Sequence, residues 1–121
     1  MSKPETMMID EVKYVRADMA QKAEKLDGMK YVIVRSYAAG CFAGYLKEKK
    51  DREVTLIKAR RLWYWDGAAS LSQLAMEGVK TPSSCKFPCE VSNIIINDVC
   101  EVIEATEESK KSIAGVAIWK K

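Results

Sequence analysis

The residues best suited to ligand binding are concentrated in one stretch, residues 58–75. Two adjacent arginines, Arg60 and Arg61, precede Trp63 and Trp65 in this stretch. Successive side chains of a strand point to opposite faces, so one of the arginines must share a face with the tryptophans. A guanidinium can bind a phosphate while an aromatic ring stacks on a base. The stretch therefore predicts a site for a planar anion, although a one-residue register shift would exchange the two arginines.

A helix is predicted directly after this strand, over residues 68–76, with Asp66 as its N-cap and Gly78 as its stop. The small residues at 67–70 leave the first backbone amides approachable, which suits a phosphate. The alternative is that the tryptophans are core residues covered by Arg61, and that Asp66 already occupies those amides. The stretch matches neither the dinucleotide fingerprint nor the P-loop.

Three further residues are candidates for contact with the same ligand. Phe87 lies in a loop-to-strand segment, where its ring could stack on a base. Asn93 and Asn97 bracket an isoleucine run, and their amides could read a base edge or a ribose hydroxyl. Turn formation is the simpler role for both asparagines. The residues predicted to bind the ligand are Arg60, Arg61, Trp63, Phe87, Asn93 and Asn97.

The absence of histidine removes several classes of catalysis. It excludes a Ser-His-Asp triad, a Cys-His nucleophile pair and a His-ligated catalytic metal. A four-cysteine zinc site would need a second closely spaced pair beside Cys85 and Cys89, and none is present. We therefore expect a binding protein with no catalytic residues, no metal and no cofactor. A small nucleotide-converting enzyme with Asp66 or Glu77 as its base is the catalytic alternative.

The composition is typical of one globular domain over residues 1–121, with a loose tail at about 1–7. Of the 121 residues, 48% are hydrophobic and 31% charged, which is ordinary for a folded protein. Twenty basic residues against 17 acidic ones give a net charge of +3, too small to predict general nucleic-acid binding. No apolar run approaches the roughly 20 residues of a membrane span, and no signal peptide is apparent. We therefore expect a cytoplasmic protein with reduced cysteines.

The first half of the chain predicts one helix and a hairpin. Apolar residues recur every three or four positions over 9–26, as on one side of an amphipathic helix. Runs of β-branched and aromatic residues over 31–37 and 41–46 predict two paired strands. Gly44 within the second run indicates a bulge or a close backbone approach.

The second half predicts the remaining strands and a last helix. A charged turn over 47–52 leads to a long strand over 54–65. A short strand follows over 87–91, residues 94–96 and 99–103 form either one long strand or two broken ones, and Thr106 caps the last helix. Strict alternation in the long strand would place Ile57, Ala59, Arg61, Trp63 and Trp65 on one face. The predicted fold is α+β, a curved antiparallel sheet of about five strands flanked by two or three helices.

Several of these segments together resemble a small family found in phages and prophages. The similar segments are residues 59–79, 37–44 and 85–91 and the Trp119 ending, and the resemblance spans most of 30–120. The closest functional counterpart is the anti-Thoeris sponge family. This likeness implies an oligomeric protein that sequesters the cyclic ADP-ribose signal of a bacterial defence enzyme.

The predicted function is therefore that of a phage-encoded anti-defence protein in the host cytoplasm. It would bind a cyclic nucleotide immune signal of cyclic ADP-ribose type as a homo-oligomer, without catalysis, membrane or general nucleic-acid contact. The alternative is a protein-binding inhibitor of a host defence effector, such as a nuclease or a CRISPR complex. That inhibitor would use the aromatic sheet face, because Trp, Tyr and Arg are enriched at binding hot spots.

Overall fold

A computed structural model describes residues 21–120. Within this range the chain forms one five-stranded antiparallel sheet and two α-helices, which confirms the predicted α+β class. None of the helices between residues 21 and 120 has the length and apolar character to cross a bilayer. The elements are β1 (Tyr31–Ser36), β2 (Gly40–Lys50), β3 (Glu53–Arg61), α1 (Leu71–Glu77), a 3₁₀ turn (Pro82–Ser84), β4 (Glu90–Ile96), β5 (Val99–Glu104) and α2 (Glu107–Ala114).

The strand order is β4-β3-β2-β1-β5, and it forces the sheet to curl. The edge strands β4 and β5 are joined by only two residues, Asn97 and Asp98. In a flat five-stranded sheet the edges would lie about 19 Å apart. The three peptide steps from Ile96 to Val99 span at most about 11 Å. The two edges must therefore approach each other at this end, as the predicted curvature requires.

Each face of the curled sheet has its own apolar cluster, because side chains alternate along the strands. On β1, Val32 and Val34 belong to the cluster enclosed by the curl, with Phe42 and Leu56. Ile33 belongs to the other cluster, which both helices cover. The main members of that second cluster are Tyr31, Ile33, Ala43, Tyr45, Leu62, Leu74, Phe87, Ile113 and Val116.

A bulge interrupts the long strand at Lys58. Between the pairs Tyr45–Ile57 and Ala43–Arg60, three steps along β3 face two steps along β2. Lys58 has a φ of 52°, in the left-handed region. As a result Ala59 joins the enclosed cluster, whereas Ile57 packs with the other one. The predicted placement of Ile57 and Ala59 on one face was wrong, because strict alternation does not survive an inserted residue.

Gly44 lies opposite this bulge, as predicted. A Cβ on Gly44 would lie 2.9 Å from the Cα of Ala59, closer than real Cβ atoms come. The register of β2 against β3 shifts at the same point. Glycine is therefore needed here because the backbone of β3 approaches too closely for any side chain.

Several predicted boundaries differ from those observed. Strand β3 ends at Arg61 rather than at residue 65, and β2 continues to Lys50, so that the charged turn is confined to 51–52. The predicted helix over 9–26, like the tail at 1–7, lies largely outside the described residues. Its last part, from residue 21 to Leu26, is not helical; Leu26 pairs with Met29 through two backbone hydrogen bonds.

One of the two predicted helix N-caps is observed, and the other is wrong. Thr106 caps α2 as predicted, its hydroxyl accepting a hydrogen bond from the Ser109 amide at 3.1 Å. The N-cap of α1 is Ser70 and not Asp66. The Asp66 carboxylate instead accepts from the amide of Gly67 at 2.8 Å, so the chain makes an extra turn before the helix begins.

Candidate functional site

Arg60 is the most fully bonded side chain of the predicted site. It is 8% exposed, and its guanidinium donates to four main-chain carbonyl oxygens. The acceptors are Pro88 at 2.8 Å, Ile113 at 2.7 Å, Phe87 at 3.0 Å and Val116 at 2.7 Å. A guanidinium has five N–H groups, so one N–H of Nη1 remains for another acceptor. Arg60 therefore joins the end of α2 and the loop before β4 to the sheet.

Arg61 lies on the opposite face, as the alternation at this point predicts. Its Nη1 donates to the Ala39 carbonyl at 2.9 Å, and its guanidinium carbon lies 4.5 Å from the centre of the Phe42 ring. These contacts hold Arg61 over the enclosed cluster at the β1–β2 turn. The two arginines are thus separated by the sheet and cannot bind one ligand together.

The other predicted ligand contacts are also dispersed. The Phe87 ring is fully buried, 5.5 Å from the Arg60 guanidinium, and has no free face for stacking. Asn93 is exposed on edge strand β4, opposite Ile57. Asn97 lies in the turn between β4 and β5, where its carbonyl accepts a hydrogen bond from Ser36 at 2.7 Å, the turn role considered above.

The chain itself uses part of the predicted anion site at the start of α1. The Ser70 hydroxyl accepts from the Gln73 amide at 3.1 Å, and the Gln73 side chain accepts from the Ala69 amide at 2.8 Å. This pair is similar to a capping box, but its second bond goes to the residue before the N-cap. Two of the backbone amides at this helix start are therefore already bonded within the chain.

A pocket of about 350 Å³ opens beside Arg60, between the sheet and the end of α2. We call it the tyrosine–lysine pocket. Three of its lining side chains are cations and one is a carboxylate, giving a formal net charge of +2. Its polar lining residues are Tyr31, Tyr45, Lys58, Arg60, Glu90 and Lys110. A volume of this size is at the lower end of known small-molecule sites.

Most of the polar side chains that line the pocket carry hydrogen-bond donors. Burial, more than the nearby Tyr45 and Glu90, raises the pKa of Tyr31 well above its ordinary value. A hydrogen bond with Tyr45 raises the pKa of Lys110, whose ammonium lies 5.4 Å from the Tyr45 ring centre. Tyr31 and Lys110 therefore both keep their protons near neutral pH. Such a site favours an anion over a cation.

The bulge at Lys58 brings that residue to the pocket. A left-handed conformation costs a lysine roughly 1 kcal/mol relative to glycine. Because Lys58 is the inserted residue of β3, its side chain leaves the regular alternation and lines the rim beside Arg60. Backbone strain at the edge of a charged pocket is a common feature of functional sites.

Sequence reasoning did not find most of this pocket. The sequence does indicate that Tyr31 and Tyr45 are neighbours, because a hairpin centred on residue 38 places them opposite each other, as is observed. Their rings meet edge to face with centroids 5.1 Å apart. Lys110 had no signal of its own, because α2 is packed against the sheet only by the tertiary fold. Between residues 21 and 120, no three Cys, Asp or Glu side chains group as a metal site.

A second feature is a group of exposed aromatic residues, which includes the predicted Trp63. The Trp63 and Trp119 indoles are parallel within 3°, with ring centroids 6.5 Å apart. Tyr64 is 50% exposed beside them. The Lys86 ammonium lies 5.8 Å from the Trp119 ring and 5.9 Å from the Tyr64 ring. Trp63 is therefore available for contact, although separated from both arginines.

Comparison with known proteins gives a family match. Residues 29–113 match a family of domains of unknown function, DUF6948. No curated protein and no solved structure matches the chain significantly. The matched range holds all five strands, most of α2 and all but the C-terminal residues of the tyrosine–lysine pocket. The chain therefore belongs to the DUF6948 family.

Proposed function

We propose that this chain binds a small anion of cyclic nucleotide type in the tyrosine–lysine pocket and acts by sequestering it. One observation carries the proposal: Lys58, Arg60 and Lys110 converge around two tyrosine rings in a pocket of about 350 Å³. Cations bind the phosphates of such a molecule, and tyrosine hydroxyls can form hydrogen bonds with its sugar or base. The resemblance to the anti-Thoeris sponge family supports the same ligand class.

The pocket is better suited to holding a ligand than to converting it. A general base near neutral pH needs a group that can accept a proton there. Tyr31 and Lys110 are held protonated by their raised pKa values, and Arg60 is fixed by four carbonyls, so that Glu90 is the one carboxylate of the lining and has no second acid or base beside it there. We therefore propose a noncatalytic protein. Its phage origin, its place in the host cytoplasm and its assembly into homo-oligomers belong to the same proposal and rest on the resemblance alone.

Release of a bound molecule tests this function directly. The purified full chain is incubated with cyclic ADP-ribose, freed of unbound ligand, denatured, and the released fraction is analysed by mass spectrometry. We expect unchanged cyclic ADP-ribose in that fraction. A chemically altered molecule would indicate an enzyme instead, and an empty fraction would remove this ligand from the proposal.

Two adjacent lysines of α2 test the position of the site. Lys110 lines the pocket, whereas Lys111 is exposed outside its lining. We expect Lys110→Glu to weaken binding of cyclic ADP-ribose by at least about tenfold in calorimetry, because a charge-assisted contact becomes a repulsion. Lys111→Glu is the matched control and should change the affinity by less than about twofold. Equal effects of the two substitutions would place the ligand elsewhere.

The alternative function, inhibition of a host defence effector by direct protein contact, has one observation in its favour. Trp63 is 63% exposed, which is unusual for a tryptophan in a folded domain. Under this alternative the release experiment returns an empty fraction, and substitutions at Lys110 leave inhibition of the effector unchanged.

A further inference from the structure

Large apolar side chains from two separate segments of the chain form one exposed surface. Trp63 is 63% exposed, Tyr64 50% and Trp119 38%. Lys86 joins them from a third segment. We call these four residues the aromatic surface. Contiguous apolar surface of this kind marks interaction sites in folded proteins.

The backbone holds this surface in a fixed shape. Tyr64 and Lys86 exchange hydrogen bonds of 3.2 and 2.8 Å, and the Trp119 amide donates to the Phe87 carbonyl at 3.0 Å. Phe87 is itself buried and bound by Arg60. The exposed rings therefore project from a well-bonded part of the fold. A preformed surface loses little entropy when a partner binds.

The charge of the surface is the feature that selects a partner. The Lys86 ammonium lies within 6 Å of two ring centres, and no carboxylate from residues 21–120 approaches it within 4.0 Å. A partner that brings a carboxylate next to an apolar side chain would complement both parts of the surface. The carboxylate would pair with Lys86 while the apolar group covers Trp63.

We propose that the aromatic surface docks an acidic, apolar-flanked peptide segment of another protein. A second copy of this chain is a poorer fit, because a twofold contact centred here would bring two Lys86 side chains together. Nucleic acid is also a poorer fit, since one lysine offers little to a phosphate backbone. The docking proposal does not depend on any ligand bound in the tyrosine–lysine pocket.

The test uses the full chain and synthetic peptides of about 12 residues. One set combines Asp and Glu with Leu and Phe; the matched set has every carboxylate replaced by its amide. Binding is followed by tryptophan fluorescence. We expect binding of acidic peptides, at least about tenfold weaker binding of their amide counterparts, and loss of binding of about 10- to 100-fold in Trp63→Ala.

Two further variants, one with a reversed charge and one with a distant aromatic residue removed, complete the experiment. Lys86→Glu should abolish the preference for acidic peptides. Tyr37, 88% exposed in the β1–β2 turn and outside the aromatic surface, is the matched control, and Tyr37→Ala should bind as the parent chain does. Circular dichroism checks that each variant is folded.

Four results would overturn the proposal. They are the absence of binding by any acidic peptide at about 1 mM, equal binding of acidic and amide peptides, tighter binding of oligothymidylate, and a dimer in ultracentrifugation that Trp63→Ala dissolves. The last two would assign the surface to nucleic acid or to self-association. None of them bears on ligand release from the pocket, so the two proposals fail independently.

Discussion

The guanidinium of Arg60 binds four main-chain carbonyls, of which those of Phe87 and Ile113 also accept from the amides of Trp119 and Val116. Two of these acceptors, Phe87 and Pro88, precede β4, and the other two, Ile113 and Val116, lie at and after the last turn of α2. Buried carbonyls without a donor are costly, and one arginine can supply several donors in a fixed plane. A residue whose type suggests phosphate binding is thus used mainly to complete the fold.

Removal of this guanidinium should destabilise the protein strongly. We expect Arg60→Met to lower the free energy of unfolding by about 3–5 kcal/mol, because the substitution removes four hydrogen bonds from a charged donor and leaves the Pro88 and Val116 carbonyls without a donor among the described residues. Urea denaturation followed by circular dichroism measures the loss. Arg61→Met removes one hydrogen bond and one ring contact and should cost about 1–2 kcal/mol. Comparable losses in both variants would contradict the structural role assigned to Arg60.

The bulged pairing of β2 with β3 is the element that shapes the pocket. Lys58 is inserted into β3, and Gly44 lets the two backbones approach at that point. The inserted residue reverses the side-chain order, so that Arg60 faces the helices rather than the enclosed cluster. A regular strand would have placed Arg60 on the opposite face, away from the carbonyls that it binds.

Two glycines give a controlled test of this close approach. A Cβ at position 44 would lie 2.9 Å from the Ala59 backbone, so Gly44→Ala should cost about 1–3 kcal/mol of unfolding free energy. Gly115 has a helical φ of −80°, and its Cβ would meet nothing closer than 3.4 Å. Gly115→Ala should therefore be neutral or slightly stabilising. Thermal or urea unfolding of the pair checks the difference; equal stability of the two variants would argue against the bulge.

Taken as a whole, the molecule brings its unusual features to one side. The helices, the C-terminal residues and the loop before β4 all cover one face of the curled sheet. The tyrosine–lysine pocket and the aromatic surface both lie there. The other face carries the cluster that the curl encloses.

Burial on this side predicts a loss of stability at alkaline pH. The pKa of Tyr31 is raised, chiefly by burial, so above about pH 10 the unfolded chain releases this proton and the folded chain does not. The pKa of Lys110 is raised as well, so the stability that its protonated form contributes is lost as the pH rises through that pKa. Both effects lower the free energy of unfolding as the pH rises.

Urea denaturation between neutral pH and about pH 11 measures this dependence. Tyr31→Phe should flatten the decline, because phenylalanine has no proton to release. Tyr37→Phe is the control, since Tyr37 is 88% exposed, and it should keep the decline of the parent chain. A Tyr31→Phe variant with an unchanged decline would rule out this cause.

The fold was largely predictable from the sequence, whereas the site was not. The hairpin, the close approach at Gly44 and the Thr106 cap follow from local patterns of residue type, and all are observed. The helix start at Ser70 was missed because Asp66 and Ser70 are both good N-caps, and only the backbone path selects between them. The site residues depend on which face each strand presents, and one inserted residue changes that.

By itself, the sequence determined the α+β class, the approximate positions of the strands and the absence of histidine chemistry, because strand and helix patterns act over a few neighbouring residues. Only the tertiary structure decided the partners of the charged groups. The carbonyls that Arg60 binds belong to residues 27 to 56 positions further along the chain. Lys110 contacts Tyr45 only because α2 packs against the sheet. Such contacts arise when distant segments pack together, and no local pattern encodes them.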